Sequence, residues 1–306
     1  MQTPLQPPTT QARALTVDVA LDPAAIAIAG ASSSRHATTF IVVDVVRATT
    51  TLAVFFERGC SRVLVASSIA TAREARRALG PSYLLAGEEE GARPPGFDLG
   101  NSPAEAATSA LRGRQIIFAT TNGTRALRAC EGGRAVLAGA LRSARAVGAL
   151  AYLLATSGHG RAGNNRPRDA GSVAPTEAAT LEAHPDVYIV CAGRDGRAAD
   201  DDTLCAGYLT RTIIERAEAI GGSPIALGDG AHIALAVVEE AERSGPLRTA
   251  LATSAAARSL ERIGLTADLD WCAATDATDL VPRVVAVDRQ HDLLVVEAPP
   301  PELPGS

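Results

Sequence analysis

The sequence predicts a three-layer α/β/α fold around a mostly parallel, mixed sheet. Three observations carry the prediction. From Phe40 onward, short β-branched apolar runs alternate with longer Ala/Leu/Arg segments of helical period, the pattern of a βαβ series. The chain has 306 residues, 46% of them apolar, enough to fill one large core. Near the end, PRVVAV and LLVVE are separated by DRQHD within Val281 to Val296, which reads as an antiparallel hairpin.

Taken in order, a first strand is expected from Ala14 to Ala20, at a sheet edge. Further strands are expected at Phe40 to Val45, Arg62 to Ala66, Tyr83 to Ala86, Gln115 to Thr120, Ala135 to Ala138 and Asp186 to Cys191, where Val, Ile and Phe cluster. Helices fill the intervals: Thr50 to Arg58, Ala70 to Leu79, Pro103 to Leu111, Thr124 to Cys130, Ser143 to Leu154 and Thr203 to Ala219, followed by a helical region from Gly230 to Ile263. Residues 156–180 are rich in Gly, Asn, Arg and Pro and read as a mobile surface insertion. The whole, 1–306, reads as one domain with its core at about 14–299.

Composition narrows the chemistry. With 29 basic and 34 acidic residues the net charge is −5, which disfavours a nucleic-acid partner. Aromatic residues make up only 3% of the chain, so base-stacking platforms are scarce and small polar or anionic ligands fit better. There is no Lys at all, so the positive charge is carried by Arg. That absence removes a Walker A loop, a Schiff-base enzyme and a phosphatase with a Lys beside an Asp nucleophile. The five cysteines show no C-x-x-C pair, and the histidines match no zinc spacing. No apolar stretch approaches membrane-spanning length, which leads to the expectation of a cytoplasmic protein with no membrane partner. A homodimer is the default for such an α/β chain.

Ligands of parallel α/β sheets gather where strand ends lead into helix starts. The first such junction, FIVVDVVRATTT, places Asp44, Arg47, Thr49 and Thr50 at a helix N-terminus, either as an oxyanion site or as a Thr cap with an Asp–Arg ion pair. The second, IIFATTNGTRAL, offers Asn122, Gly123, Thr124 and Arg125, with Gly123 allowing close approach of an anion. The third, VYIVCAGRDGR, spaces Cys191 and Arg197 as in the phosphate loop of cysteine phosphatases, although Cys191 also reads as a small buried strand residue. Acidic residues supply hard oxygen donors: Glu88 in GEEEG, Asp98 and Asn101 in GFDLGNSP, the run Asp200 to Asp202, and Asp229 in GDGA. Donors of this kind suit Mg²⁺, while the Asp200 to Asp202 run also fits a helix first turn favoured by the macrodipole. Phe97, in the GFDLG turn, needs an apolar partner.

The ordered segments VVDVVRATTT, LLAGEEEG, GFDLGNSP, TTNGTRAL, VCAGRDGR, DTLCAG and GDGA, with a weaker DLDWCAATDATDLVP, resemble the 2-phosphosulfolactate phosphatase (ComB-type) family. The resemblance implies Mg²⁺-dependent hydrolysis of the phosphate ester of a small 2-hydroxy acid, 2-phosphosulfolactate in the family's named case, associated with coenzyme M biosynthesis. On that reading Asp44, with Glu88 or Asp229, surrounds the metal, and Arg47, Asn122, Thr124 and Arg125 cradle the anion. Two departures stand out. The family commonly carries Ser-x-His-Gly where this chain has Ser254 followed by Ala255, Ala256 and Ala257, and the segment after Arg197 is more acidic than usual. Two alternatives remain: a metal-independent cysteine phosphatase using Cys191 and Arg197, and a non-catalytic anion-binding protein on the same scaffold.

Overall fold

The computed structural model describes residues 13–22, 35–157 and 185–299. Its elements run β1 (Leu15–Ala20), β2 (Thr39–Val43), α1 (Ala48–Glu57), β3 (Arg62–Ala66), α2 (Ile69–Leu79), β4 (Tyr83–Gly87), α3 (Pro103–Thr108), β5 (Gln115–Ala119) and α4 (Gly123–Ala129). They continue with β6 (Ala135–Gly139), α5 (Ala144–Ser157), β7 (Val187–Cys191), α6 (Asp200–Ala219), β8 (Ile225–Leu227) and α7 (Asp229–Ser244). The last elements are α8 (Leu247–Ala252), α9 (Ala255–Arg262), α10 (Asp268–Ala273), β9 (Arg283–Asp288) and β10 (Leu293–Glu297). Of the expected insertion, Thr156 and Ser157 close α5, and the remainder lies outside the described residues.

All ten strands form one mixed sheet in the order β4-β5-β3-β10-β9-β6-β2-β7-β1-β8. Two parallel blocks, β4-β5-β3 and β6-β2-β7-β1-β8, are joined through the antiparallel hairpin β9–β10. The expected C-terminal hairpin is thus present, set between the blocks. β1 is not an edge strand, because the three-residue β8 pairs along its outer side. Nothing in the alternation of the sequence signals so short a strand. The helical region after Gly230 is split into α7, α8 and α9 by Gly245, Pro246 and Ser254, and Ser254 caps α9 by accepting from the Ala257 N–H.

The sheet does not stay flat. β9 meets β6 through a single residue pair, Leu137 with Arg283. Beyond that junction the two blocks share one core: Phe40 and Val42 of β2 pack in the same cluster as Val63 and Val65 of β3, Ile116 and Phe118 of β5, and Leu52 and Phe55 of α1. Phe55 and Phe118 meet edge to face, with ring centroids 5.4 Å apart. Strand alternation sends Ile41, Val43, Ile189 and Cys191 to the opposite face, under α5 and α6. Leu64, Ile117 and Phe97 pack with Ala72 and Ala75 of α2. Phe97 has therefore found its apolar partners.

The folding-over sets the site. Five strand steps separate β2 from β5, which in a flat sheet would hold their ends about 24 Å apart. Instead Gly123, just beyond β5, lies against Asp44 and Ala48, just beyond β2; a Cβ on Gly123 would stand 2.6 Å from the Ala48 Cβ and from Asp44 Oδ2. On the outer side, α6 and α7 cross so closely that a Cβ on Gly207 would overlap the carbonyl of Ala234. Gly207→Ala is expected to destabilise the protein by about 1–3 kcal/mol, read as a lower denaturation midpoint at unchanged m-value.

Candidate active site

A cavity of about 480 Å³ opens where the carboxyl ends of β2, β4, β5 and β7 converge beneath α9. Asp44, Arg47, Glu88, Asn101, Asn122, Asp201 and Asp202 all face it. Four of the expected site residues, Asp44, Arg47, Glu88 and Asn122, are thereby brought together.

Asp44 sits at the start of α1. Its Oδ1 accepts the Ala48 N–H at 3.3 Å, and the backbone of Gly123 at the start of α4 also bonds to it. Two helix N-termini thus aim at one carboxylate, an arrangement that favours negative charge. Burial and the neighbouring Glu88 charge outweigh them and push the Asp44 carboxyl up to about 6. Burial, with the charge of Asp44 beside it, likewise raises Asp201 to about 7. Asp202 is raised well above the ordinary carboxylate range by burial and by Asp201 and Asp44.

These acids divide by what their oxygens already hold. Asp202 accepts from the Val45 N–H and the Gly193 N–H, both at 2.9 Å, and so ties the ends of β2 and β7 to α6. Glu88 accepts from the Thr121 N–H at 2.6 Å and the Gly91 N–H at 2.8 Å, locking two loops together. Both residues are spent on backbone. Asp201 bonds only to its own backbone N–H among the described residues, and Asp44 holds the Ala48 N–H at 3.3 Å, longer than any backbone contact of Asp202 or Glu88, so these two are the carboxylates least committed to the protein.

Arg47 is buried and forks between Asp268 Oδ2 at 3.0 Å and the Gly91 carbonyl at 2.9 Å. Asp268 Oδ1 in turn accepts from the Ser102 hydroxyl at 2.5 Å and from the Ala104 N–H. The network staples α10 and α3 to the strand ends and neutralises Arg47 within the protein. Asn101, beside it, is 5% exposed, and its Oδ1 has no partner among the described residues. None of the other buried orphan oxygens or nitrogens belongs to a residue lining the cavity.

The remaining expected residues fall elsewhere. Thr49 and Thr50 are buried, and their hydroxyls donate to the carbonyls of Asp44 and Val45, turned away from any ligand. Thr124 is also fully buried, donating to the Thr120 carbonyl at 2.7 Å. Arg125 is exposed and does not line the cavity, because the buried face of α4 is formed by Gly123, Thr124, Ala126 and Leu127. Asp229 is exposed at the head of α7, three strands away from β2.

The cysteine-phosphatase arrangement fails on geometry. Cys191 is wholly buried on the α5–α6 face, and burial, with Asp202 beside it, drives its thiol well above the ordinary value. The loop behind it closes on itself, since Arg194 and Arg197 exchange both backbone hydrogen bonds at 2.9 Å, so their N–H groups cannot wrap a phosphate. Arg197 is left exposed. Sequence reasoning overlooked Arg194, Ser259, Arg262 and Asp268. It set aside Asp201 because a DDD run at a helix start has a structural explanation.

An α/β sheet whose strand ends gather acids, amides and guanidiniums around a ligand-sized cavity has the construction of an enzyme site for a small polar substrate. The sequence profile of the 2-phosphosulpholactate phosphatase family matches residues 28–157 and 171–286. The chain belongs to that family. A protein of Deinococcus radiodurans named "probable 2-phosphosulfolactate phosphatase" is 35% identical over 256 residues, covering 83% of this chain and 91% of that protein. One of the same name from Thermus thermophilus is 37% identical over 244 residues, covering 79% and 86%. A third, from Carboxydothermus hydrogenoformans, is 31% identical over 243 residues, covering 79% and 84%.

Two outcomes test this geometry. Arg47→Ala should cost about 3–5 kcal/mol by chemical denaturation, because it strands Asp268 in the interior, and Arg47→Met with Asp268→Leu should recover much of that loss. Cys191→Ala should retain turnover; its loss with the fold intact would restore the thiol to the mechanism.

Proposed function

We propose that this chain is a Mg²⁺-dependent phosphatase that hydrolyses the phosphate ester of a small 2-hydroxy acid, with 2-phosphosulfolactate giving sulfolactate and inorganic phosphate. The observation that carries the reading is the confinement of Asp44 and Asp201, the two least committed carboxylates, in one cavity with the unpartnered amide oxygen of Asn101. The names of the relatives support the substrate class.

The donor chemistry fits a hard divalent cation. Burial and mutual repulsion push two neighbouring carboxyls toward neutrality, and a shared cation relieves that condition. Mg²⁺ needs only one or two carboxylates and keeps its other positions for water and phosphate oxygens. Asp44 and Asp201 would hold it, with Glu88 and Asp202 keeping their loops in place. Once bound, Mg²⁺ supplies neutralisation of the phosphoryl oxygens.

The chain's own groups do the rest. The Asn122 amide offers N–H donors to phosphoryl oxygens, and the orphan Asn101 Oδ1 is an acceptor that a cation or the N–H or O–H of a ligand would satisfy. The buried Arg47, paired with Asp268, holds the Gly91 loop and the strand ends in place around the ligand. In the reaction, a water oxygen bonds to phosphorus as the bond from phosphorus to the substrate's 2-oxygen breaks. The proton released from water ends on that 2-oxygen.

Turnover of 2-phosphosulfolactate should vanish in EDTA and return with Mg²⁺, and Mg²⁺ alone should raise the melting temperature of the stripped protein. Chelator-insensitive turnover would remove the metal from the mechanism, and tight ester binding without turnover would mark the non-catalytic alternative. Asp201→Asn should reduce kcat/KM by roughly 100-fold or more. Asn101→Leu should raise KM about 10-fold without lowering the melting temperature, since it removes a buried amide oxygen that has no partner.

A further inference from the structure

The wall of the cavity formed by α9 and the loop after β7 carries two guanidiniums that the chemistry above leaves unused. Arg194 donates from Nη2 to Ser259 Oγ at 2.8 Å and from Nη1 to the Ala255 carbonyl at 3.3 Å. Arg262, the last residue of α9, donates from Nη2 to the same Ser259 oxygen at 2.7 Å. The Ser259 hydroxyl donates to the Ala255 carbonyl at 3.2 Å. Its one hydrogen and both lone pairs are therefore committed, and it acts as a fixed post for two cations.

The charge around this post is only partly offset by the protein, Arg194 acting on Asp201 across the cavity. The two Nη2 atoms are at most about 5.5 Å apart, since each bonds to the one oxygen, and like charges at that separation repel. Arg194 has Asp195 at 3.7 Å from Nε, but that carboxylate is 88% exposed and well screened. Arg262 makes no ion pair among the described residues. Arg47, by contrast, is neutralised by Asp268 at 3.0 Å. Arg194, Ser259 and Arg262 line the same cavity as Asp44 and Asp201, so that cavity has a cationic wall as well as an acidic floor.

We infer that Arg194 and Arg262, set by Ser259, form a second anion subsite that reads the carboxylate or sulfonate of the substrate while the phosphoryl group lies by Asp44 and Asp201. The inference rests on the phosphatase reading and adds to it the residues that select a phosphorylated acid over a plain alkyl phosphate. The planar guanidinium fork matches the paired oxygens of a carboxylate or a sulfonate, and each Arg keeps N–H groups that Ser259 does not occupy.

The test compares kcat/KM for 2-phosphosulfolactate, 2-phospholactate and isopropyl phosphate with the Mg²⁺-loaded protein, alongside calorimetric binding of sulfolactate. The unaltered chain should prefer the acid esters by at least about 100-fold over isopropyl phosphate. Arg262→Gln, at an exposed position that leaves folding intact, should cut that preference about 10-fold, and Arg194→Gln with Arg262→Gln should remove most of it. A loss confined to the sulfonated ester assigns the subsite to sulfonate, and a loss shared with 2-phospholactate assigns it to carboxylate. An equal effect on all three esters, or sulfolactate binding unchanged by Arg262→Gln, overturns the subsite. Absence of turnover with sulfolactate binding that still depends on Arg262 overturns the phosphatase reading and leaves the subsite standing.

Discussion

The contact of Gly123 with Asp44 and Ala48 is the constraint on which the site depends. It is where the folded-over sheet brings the end of β5 to the end of β2, and it leaves no room for a side chain. Remove that approach and Glu88 and Asn122, which hang from the β4–β5 block, part from Asp44 and Asp201, which hang from the β2–β7 block. The same contact directs the first N–H groups of α1 and α4 at one carboxylate. Helix ends can stabilise an anion by up to about 2 kcal/mol when partly buried, and here they do not restore an ordinary acidity. Desolvation and like charge win, and on the proposed reading a bound cation would relieve the surplus.

Burying several acids together is tolerable only because most of their oxygens are spoken for. Asp202, Glu88 and Asp268 each give both oxygens to N–H or guanidinium donors, or to a hydroxyl, and each joins segments distant in sequence. They are the structural members of the cluster. Asp44 and Asp201 carry the longer or fewer hydrogen bonds, and the rest of the cluster holds them in place. Preorganisation of that kind means a ligand meets its partners with little reordering, which is where electrostatic catalysis gains its strength.

What the sequence made legible follows from which physical rule acts locally. Strand alternation and helix period placed most elements within a few residues, and Arg62 to Ala66 coincides with β3. β8, the insertion of the hairpin between two blocks and the folding of the sheet are tertiary outcomes with no local period. In the site, Asp44, Arg47, Glu88 and Asn122 were legible because strand ends are topologically marked. Arg125 was misplaced because helical phase decides orientation: its neighbours Thr124 and Ala126 are buried, and it points outward. The same phase sorts the DDD run, turning Asp201 and Asp202 inward and Asp200 out. Cys191 was undone by strand alternation, which buries its thiol under α5 and α6 instead of leaving it open to the cavity. Arg194 and Arg262 lie 68 positions apart, and only the docking of α9 over the β7 loop brings them to one serine.

The departure at Ala256 bears on how protons are handled. Its methyl group lines the cavity, and among the described residues no histidine does. A chain with an imidazole at this point would have a base poised near neutrality. Here the titratable groups facing the cavity are carboxylates and arginines, and arginine does not release its proton. On the proposed reaction, proton transfer to the departing 2-oxygen would then run through a carboxylate, through water, or through the phosphate itself. A phosphoryl transition state that is loose, with much of the charge already on the leaving oxygen, asks less of a protein acid than an acyl transfer does. An alanine at this point is therefore compatible with the proposed turnover provided the negative charge is well neutralised, and on that reading the burden of catalysis would fall on the oxygen-rich floor of the cavity.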